Sequence, residues 1–152
     1  MPDDSIGPLI TVAAFCERIL DEKDSVPSLI RLVDRIILHL PPSPLKTDTG
    51  EPVEPSIEIS FYIRLTTFRV GGTYELLLVM KNPSGKETEV VRHPITLEQN
   101  KSGLNFKAAL TLGIKEAGLY WMRIFLDNQF FTQIPLEVLL TEPSETQLKK
   151  QE

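Results

Sequence analysis

The chain has 152 residues, 41% of them hydrophobic, enough for one core of single-domain size without metal or disulfide staples. A formal charge of −5 and the absence of any long basic run argue against a surface built to neutralise phosphates, so nucleic acid is not an expected partner. Cys16 is the only cysteine, which excludes an intrachain disulfide and fits a reducing compartment.

Residues 1–7 read as a short arm. Met1-Pro2-Asp3-Asp4 is acidic where a secretory signal would be basic, and the apolar stretch 8–15 lacks a following small-residue cleavage pattern, so export is not expected. No run approaches the roughly 20 apolar residues needed to cross a bilayer as a helix, so no membrane association is expected and the setting is read as cytoplasmic. Residues 8–140 form the expected β-sandwich domain. Within it, 41–56 hold five prolines and Gly50 between two apolar blocks, a composition that stops helices and central strands and marks a long connection. The polar tail 141–152 cannot bury enough surface to offset its ordering entropy and is expected to be disordered.

Segment 28–40 is ambiguous. Leu29, Leu32, Val33, Ile36, Ile37 and Leu40 satisfy a helical stripe, while the nearly continuous apolar and β-branched content suits a strand buried on both faces. Further on, 57–66 and 73–80 are rich in β-formers and flank Gly71-Gly72. Asn82-Pro83-Ser84-Gly85 reads as the turn of a hairpin that returns through 87–91, and another strand falls within 104–112. The last third gives the clearest signal. Glu116-Ala117-Gly118-Leu119-Tyr120 leads into the alternating run Trp121-Met122-Arg123-Ile124-Phe125-Leu126, then Asp127-Asn128. This resembles the tyrosine corner of immunoglobulin-like domains, with Tyr120 tying down the preceding loop and Met122 in the position of the inter-sheet cysteine. The expected fold is all-β, an immunoglobulin-like antiparallel sandwich of about seven to nine strands.

A second resemblance covers both ends of the chain. Phe15-Cys16-Glu17-Arg18-Ile19-Leu20-Asp21-Glu22-Lys23-Asp24 with Ser28-Leu29-Ile30-Arg31-Leu32-Val33-Asp34-Arg35-Ile36 resembles the N-terminal segments of an uncharacterised bacterial family of small immunoglobulin-like β-sandwich proteins. Gly118-Leu119-Tyr120-Trp121 through Leu126-Asp127, with Thr132-Gln133-Ile134-Pro135-Leu136, is similar to that family's C-terminal hairpin. The resemblance implies strands for 28–40 and brings no catalytic residue, cofactor or substrate.

Two registers compete for that hairpin. A two-residue turn at Asp127-Asn128 leaves both faces mixed. A three-residue loop, Asp127-Asn128-Gln129, sets Leu126 opposite Phe130, Ile124 opposite Thr132 and Met122 opposite Ile134, gives one apolar face, and is preferred. It sends Trp121, Arg123, Phe125, Phe131, Gln133 and Glu137 to the other face. Trp121, Arg123, Phe125 and Phe131 are the candidate binding residues, because large rigid rings and arginine populate interface centres. The plainer reading is that the arm or the Pro-rich loop covers this face. Pro135 cannot donate to a ladder, so its strand should lie at an edge or carry a bulge, which serves to block edge pairing.

Other residues read as structural. Tyr120 anchors the corner, and Arg31, Asp34 and Arg35 form an expected inter-strand ion network with Glu17 and Arg18; anion binding is the sharper alternative. Asp21–Ser25 lacks the spacing and glycine of a calcium loop, and His39 and His93 have no ligand-spaced partners and are expected at strand ends. Cys16 reads as a buried small hydrophobe. No phosphate loop, nucleophile elbow or zinc helix motif occurs, so no metal, cofactor or catalytic residue is expected. The leading expectation is a non-enzymatic protein-interaction module docking an unknown protein partner, self-association included. The alternative is a small-molecule or carbohydrate-binding sandwich, and a hydrolase comes third.

Overall fold

A computed structural model describes residues 6–40, 46, 48–51, 53–68, 71–98 and 103–141. They form nine strands: β1 (Ile6–Asp21), β2 (Pro27–Val33), β3 (Arg35–His39), β4 (Ser56–Phe68), β5 (Gly72–Lys81), β6 (Glu87–Leu97), β7 (Leu104–Gly113), β8 (Gly118–Leu126) and β9 (Gln129–Thr141). A four-stranded sheet has the order β2-β1-β4-β7, and a five-stranded sheet has the order β3-β9-β8-β5-β6. The protein is an all-β, immunoglobulin-like sandwich. Every pairing is antiparallel except β3 with β9. Among the described residues no helix is long and apolar enough to cross a membrane. The expected arm is shorter than its reading, since Ile6 and Gly7 already belong to β1; residues 1–5, residues 41–45, 47 and 52 of the Pro-rich loop, and the tail after Thr141 lie outside the described residues.

The core follows from alternation. Ile57, Ile59, Phe61, Ile63 and Leu65 of β4 face Leu76, Leu78 and Met80 of β5 and Met122, Ile124 and Leu126 of β8, with the Phe15 and Phe61 rings 4.7 Å apart at the centre. Met122 is fully buried in the position where a disulfide would otherwise bridge the sheets.

Segment 28–40 is neither a helix nor one strand. It splits at Asp34 into β2 in one sheet and β3 in the other. Val33, Ile36 and Leu38 pack on the core while Leu32 and Ile37 are 69% and 53% exposed. Stepping from Val33 to Ile36 across the switch of sheets inserts a spacing of three into a period of two, which imitates a helical stripe.

The β1–β2 hairpin leaves its sheet. β1 pairs with β4 only as far as Cys16 opposite Ser60, and continuing that register would set Asp21 level with Pro55. Yet Asp21 is ion-paired with Lys107, which sits opposite Tyr62, seven positions or about 23 Å away along the strands. Two side chains cannot span that distance. The hairpin therefore bends at Glu17 and Arg31, where Arg31 has φ 54° and pairs with Glu17 at 3.2 Å, and crosses back over the outer face of the four-stranded sheet. Burial agrees. Cys16 and Tyr62 point away from the core by alternation, yet they are 0% and 3% exposed. Beneath the hairpin, the Tyr62 hydroxyl and Arg64 Nη1 both donate to Asn105 Oδ1 at 2.6 Å.

The loop before β8 docks on the β5–β6 turn. Ser84 N–H donates to Glu116 Oε1 at 3.1 Å, the Tyr120 hydroxyl donates to the Glu116 carbonyl at 2.7 Å, and Pro83 packs against Gly118. Gly118 has φ 134°, and a Cβ there would sit 2.8 Å from Pro83 Cγ. Gly118→Ala should cost about 1–3 kcal/mol in denaturant unfolding; an unchanged midpoint would show that this corner is not strained. Lys107→Ala should raise the rate of Cys16 labelling by a soluble disulfide reagent a few-fold with little loss of global stability, because the removed pair is largely exposed. An unaltered rate would mean that packing alone holds the hairpin down.

Candidate functional site

The β8–β9 turn combines features of both competing registers. Asp127 and Asn128 form a two-residue turn with φ of 47° and 64°, so Leu126 opposes Gln129 and Phe125 opposes Phe130. The three-residue loop, with Leu126 opposite Phe130, is therefore corrected. The turn is fixed by reciprocal bonds: Glu75 N–H donates to Asp127 Oδ1 at 2.8 Å, and Asp127 N–H donates to the Glu75 carbonyl at 2.9 Å. A β-bulge at Phe131 then absorbs one residue, and beyond it Ile124 opposes Thr132 and Met122 opposes Ile134, as the apolar face requires.

The bulge exchanges the two phenylalanines. Phe130 joins the outer face, 46% exposed, with its ring 5.7 Å from Phe125, whereas Phe131 turns toward the core. Phe131 is thus removed from the candidate set and Phe130 takes its place. The signal was in the sequence, since consecutive Asp-Asn suits a turn with two left-handed residues, but a bulge leaves no such mark.

Trp121, Arg123 and Phe125 do share the outer face of β8. Arg123 lies 5.3 Å from the Phe125 ring centroid and 5.1 Å from that of Phe130, and its Nη1 donates to Glu87 Oε1 at 2.5 Å. Its side chain is 27% exposed. The site is a guanidinium clasped by two rings and neutralised by one carboxylate. Val79 and Gln133 flank Arg123, and Lys81 and Pro135 flank Trp121, so the face continues onto β5 and β9. Trp121 and Phe125 are half-buried. Glu137 pairs with Arg35 at 2.7 Å, beside β3.

The structural residues separate. Tyr120 is 4% exposed, and burial pushes its hydroxyl pKa up while the bond to the Glu116 carbonyl holds it in place. Arg31, Asp34 and Arg35 do not form one network. Arg31 reaches Glu17 on the hairpin, Arg35 reaches Glu137 across the five-stranded sheet, and the Asp34 carbonyl accepts the Glu137 N–H at 2.9 Å. These exposed pairs contribute about 1 kcal/mol or less each. Burial pushes the Cys16 thiol pKa up, as suits an inert side chain. His39 ends β3 and shares a hydrogen bond of 2.7 Å with Thr141 Oγ1, whereas His93 lies inside β6 rather than at its end, its ring 6.1 Å from Phe106.

Pro135 sits where, among the described residues, β9 has no partner on its outer edge, because β3 joins only from Glu137 onward. The edge expectation holds for this half of the strand, and the bulge at Phe131 lies there too.

No family model matches the chain, and no curated protein matches it. In structure it is similar to a β-glucosidase from Listeria innocua at TM-score 0.48 and 8% identity, covering 93% of this chain and 17% of that one. An immunoglobulin-like protein from Pseudomonas aeruginosa is similar at TM-score 0.38 and 9% identity, covering 90% and 99%. An alkylpurine DNA glycosylase from Pseudomonas fluorescens is similar at 0.40 and 8%, covering 84% and 30%. The chain spans under a fifth of the β-glucosidase, and likenesses this distant carry no argument about activity.

Asn128→Gly should stabilise the fold by about 0.5–1 kcal/mol, because glycine accepts the left-handed conformation without cost. Chemical denaturation checks this, and a loss of stability would mean that the Asn128 side chain itself holds the turn.

Proposed function

We propose that this domain is a non-enzymatic protein-interaction module, cytoplasmic and of bacterial type, which docks a protein partner on the outer face of its five-stranded sheet. The carrying observation is Arg123, held between Phe125 and Phe130 and bonded to Glu87, beside Trp121. Side chains already ordered in the free protein lose little further freedom on binding, and rings with arginine supply most of the energy at interface centres. Of the three clefts described, those near Asp21 and Lys107 and between Leu9 and Phe131 lie elsewhere, and the one near Glu54 and Tyr120 reaches this face only at Glu89. A broad contact on an open sheet suits a macromolecule better than a small ligand, which needs concave walls. The resemblance of both chain ends to an uncharacterised bacterial family supports the bacterial assignment.

Affinity capture from the native host should compare the wild type with Trp121→Ala plus Phe125→Ala. The expected result is a defined protein retained by the wild type and lost with the double variant, whose circular dichroism stays β-rich. Equal retention by a folded double variant would remove this face as the docking site.

A further inference from the structure

We infer that the partner of this face is a second copy of the chain, packed sheet on sheet about a two-fold axis near Arg123; the inference rests on the docking reading above. Charge is the first argument. By register, the charged side chains of the outer face are Arg35, Lys81, Arg92 and Arg123 against Glu75, Glu87, Glu89 and Glu137. Four cations meet four carboxylates, and each carboxylate is bonded to an arginine of the same face: Glu137 to Arg35, Glu87 to Arg123, and both Glu75 and Glu89 to Arg92. The whole chain carries −5, so two copies repel, and a face of zero net charge is where they approach at least cost. A strongly basic or acidic partner would find nothing to complement here.

Area is the second argument. Five strands about 4.8 Å apart and the nine residues of β8 at about 3.3 Å each give a face of about 24 by 30 Å. Two such faces bury about 1,400 Å², within the range of specific interfaces. The apolar side chains suit that use. Phe130 at one end is 46% exposed, and Leu119, Leu139 and Ile37 at the other are 42%, 38% and 53% exposed, so an isologous arrangement can set aromatic against aliphatic ends. On the other sheet the outer side is crossed by the β1–β2 hairpin, whose exposed apolar side chains Leu20, Val26 and Leu32 lie along one two-stranded ribbon rather than across five strands.

Sedimentation equilibrium over a concentration series tests the inference, with Phe130→Glu and Leu119→Glu as face variants and Leu32→Glu as the control on the four-stranded sheet. The wild type and Leu32→Glu should pass together from monomer to dimer, and each folded face variant should weaken dimerisation about tenfold or more. A wild type that stays monomeric throughout overturns the inference, as does a dimer that both folded face variants leave unweakened. A monomeric wild type whose capture of another protein depends on Trp121 would sink the second copy alone and leave the docking reading in place.

Discussion

The period-two alternation of β8 is the constraint on which the rest depends. Tyr120, Met122, Ile124 and Leu126 are buried against the opposite sheet, and with them fixed, Trp121, Arg123 and Phe125 have only the outer face left. The phase is set at both ends. At the start, the Tyr120 hydroxyl is bonded to the Glu116 carbonyl and Gly118 admits Pro83. At the end, Asp127 exchanges two hydrogen bonds with the backbone of Glu75. A slip of one residue would break both anchors and bury an arginine. The aromatic face is therefore a by-product of core packing, held as firmly as the core itself.

What was legible in the sequence is whatever is local. The strand pattern of 57–66, the turn at Asn82–Gly85 and the alternation after Tyr120 are written in neighbouring residues, and all appear where expected. Phase slips are not local. The bulge at Phe131 follows from fixing Asp127 to Glu75, 52 residues away, while Met122 and Ile124 keep their burial; the extra residue has to be expelled between them. Likewise, the switch of sheets at Asp34 gave a helical spacing because two strands of different phase abut in one segment. The return of the β1–β2 hairpin brings Asp21 to Lys107, 86 residues away. Each of these was decided by a distant contact, which is why Phe131 and Phe130 changed places while Trp121, Arg123 and Phe125 did not.

The two sheets treat their outer faces differently. The four-stranded sheet folds part of its own chain over Tyr62, so a tyrosine and the cysteine form a small interior outside the main core. The five-stranded sheet instead balances its outer face by charge. Its edges are guarded as well: Pro94 lies in the outermost strand β6, which also carries a bulge next to Val79, and Pro135 lies in the unpaired half of β9. Backbone pairing at these edges is discouraged, so the docking proposed for this sheet would run through the side chains of its flat face rather than by strand addition.

Arginine is the residue that makes such a face workable at position 123. A lysine there would carry a compact, strongly hydrated charge, which two rings stabilise less well and one carboxylate engages at a single point. The guanidinium is planar and weakly hydrated, so it can lie against Phe125 and Phe130 and still direct Nη1 to Glu87. Its partial desolvation is offset by three partners already in place before anything binds. Removing Glu87 alone would leave that charge half-buried and uncompensated, whereas removing both groups would leave an apolar surface with no register of its own. In the proposed docking the pair would cost some affinity relative to a wholly apolar patch, and in exchange would fix the orientation in which a facing surface can pack without burying an unmatched charge.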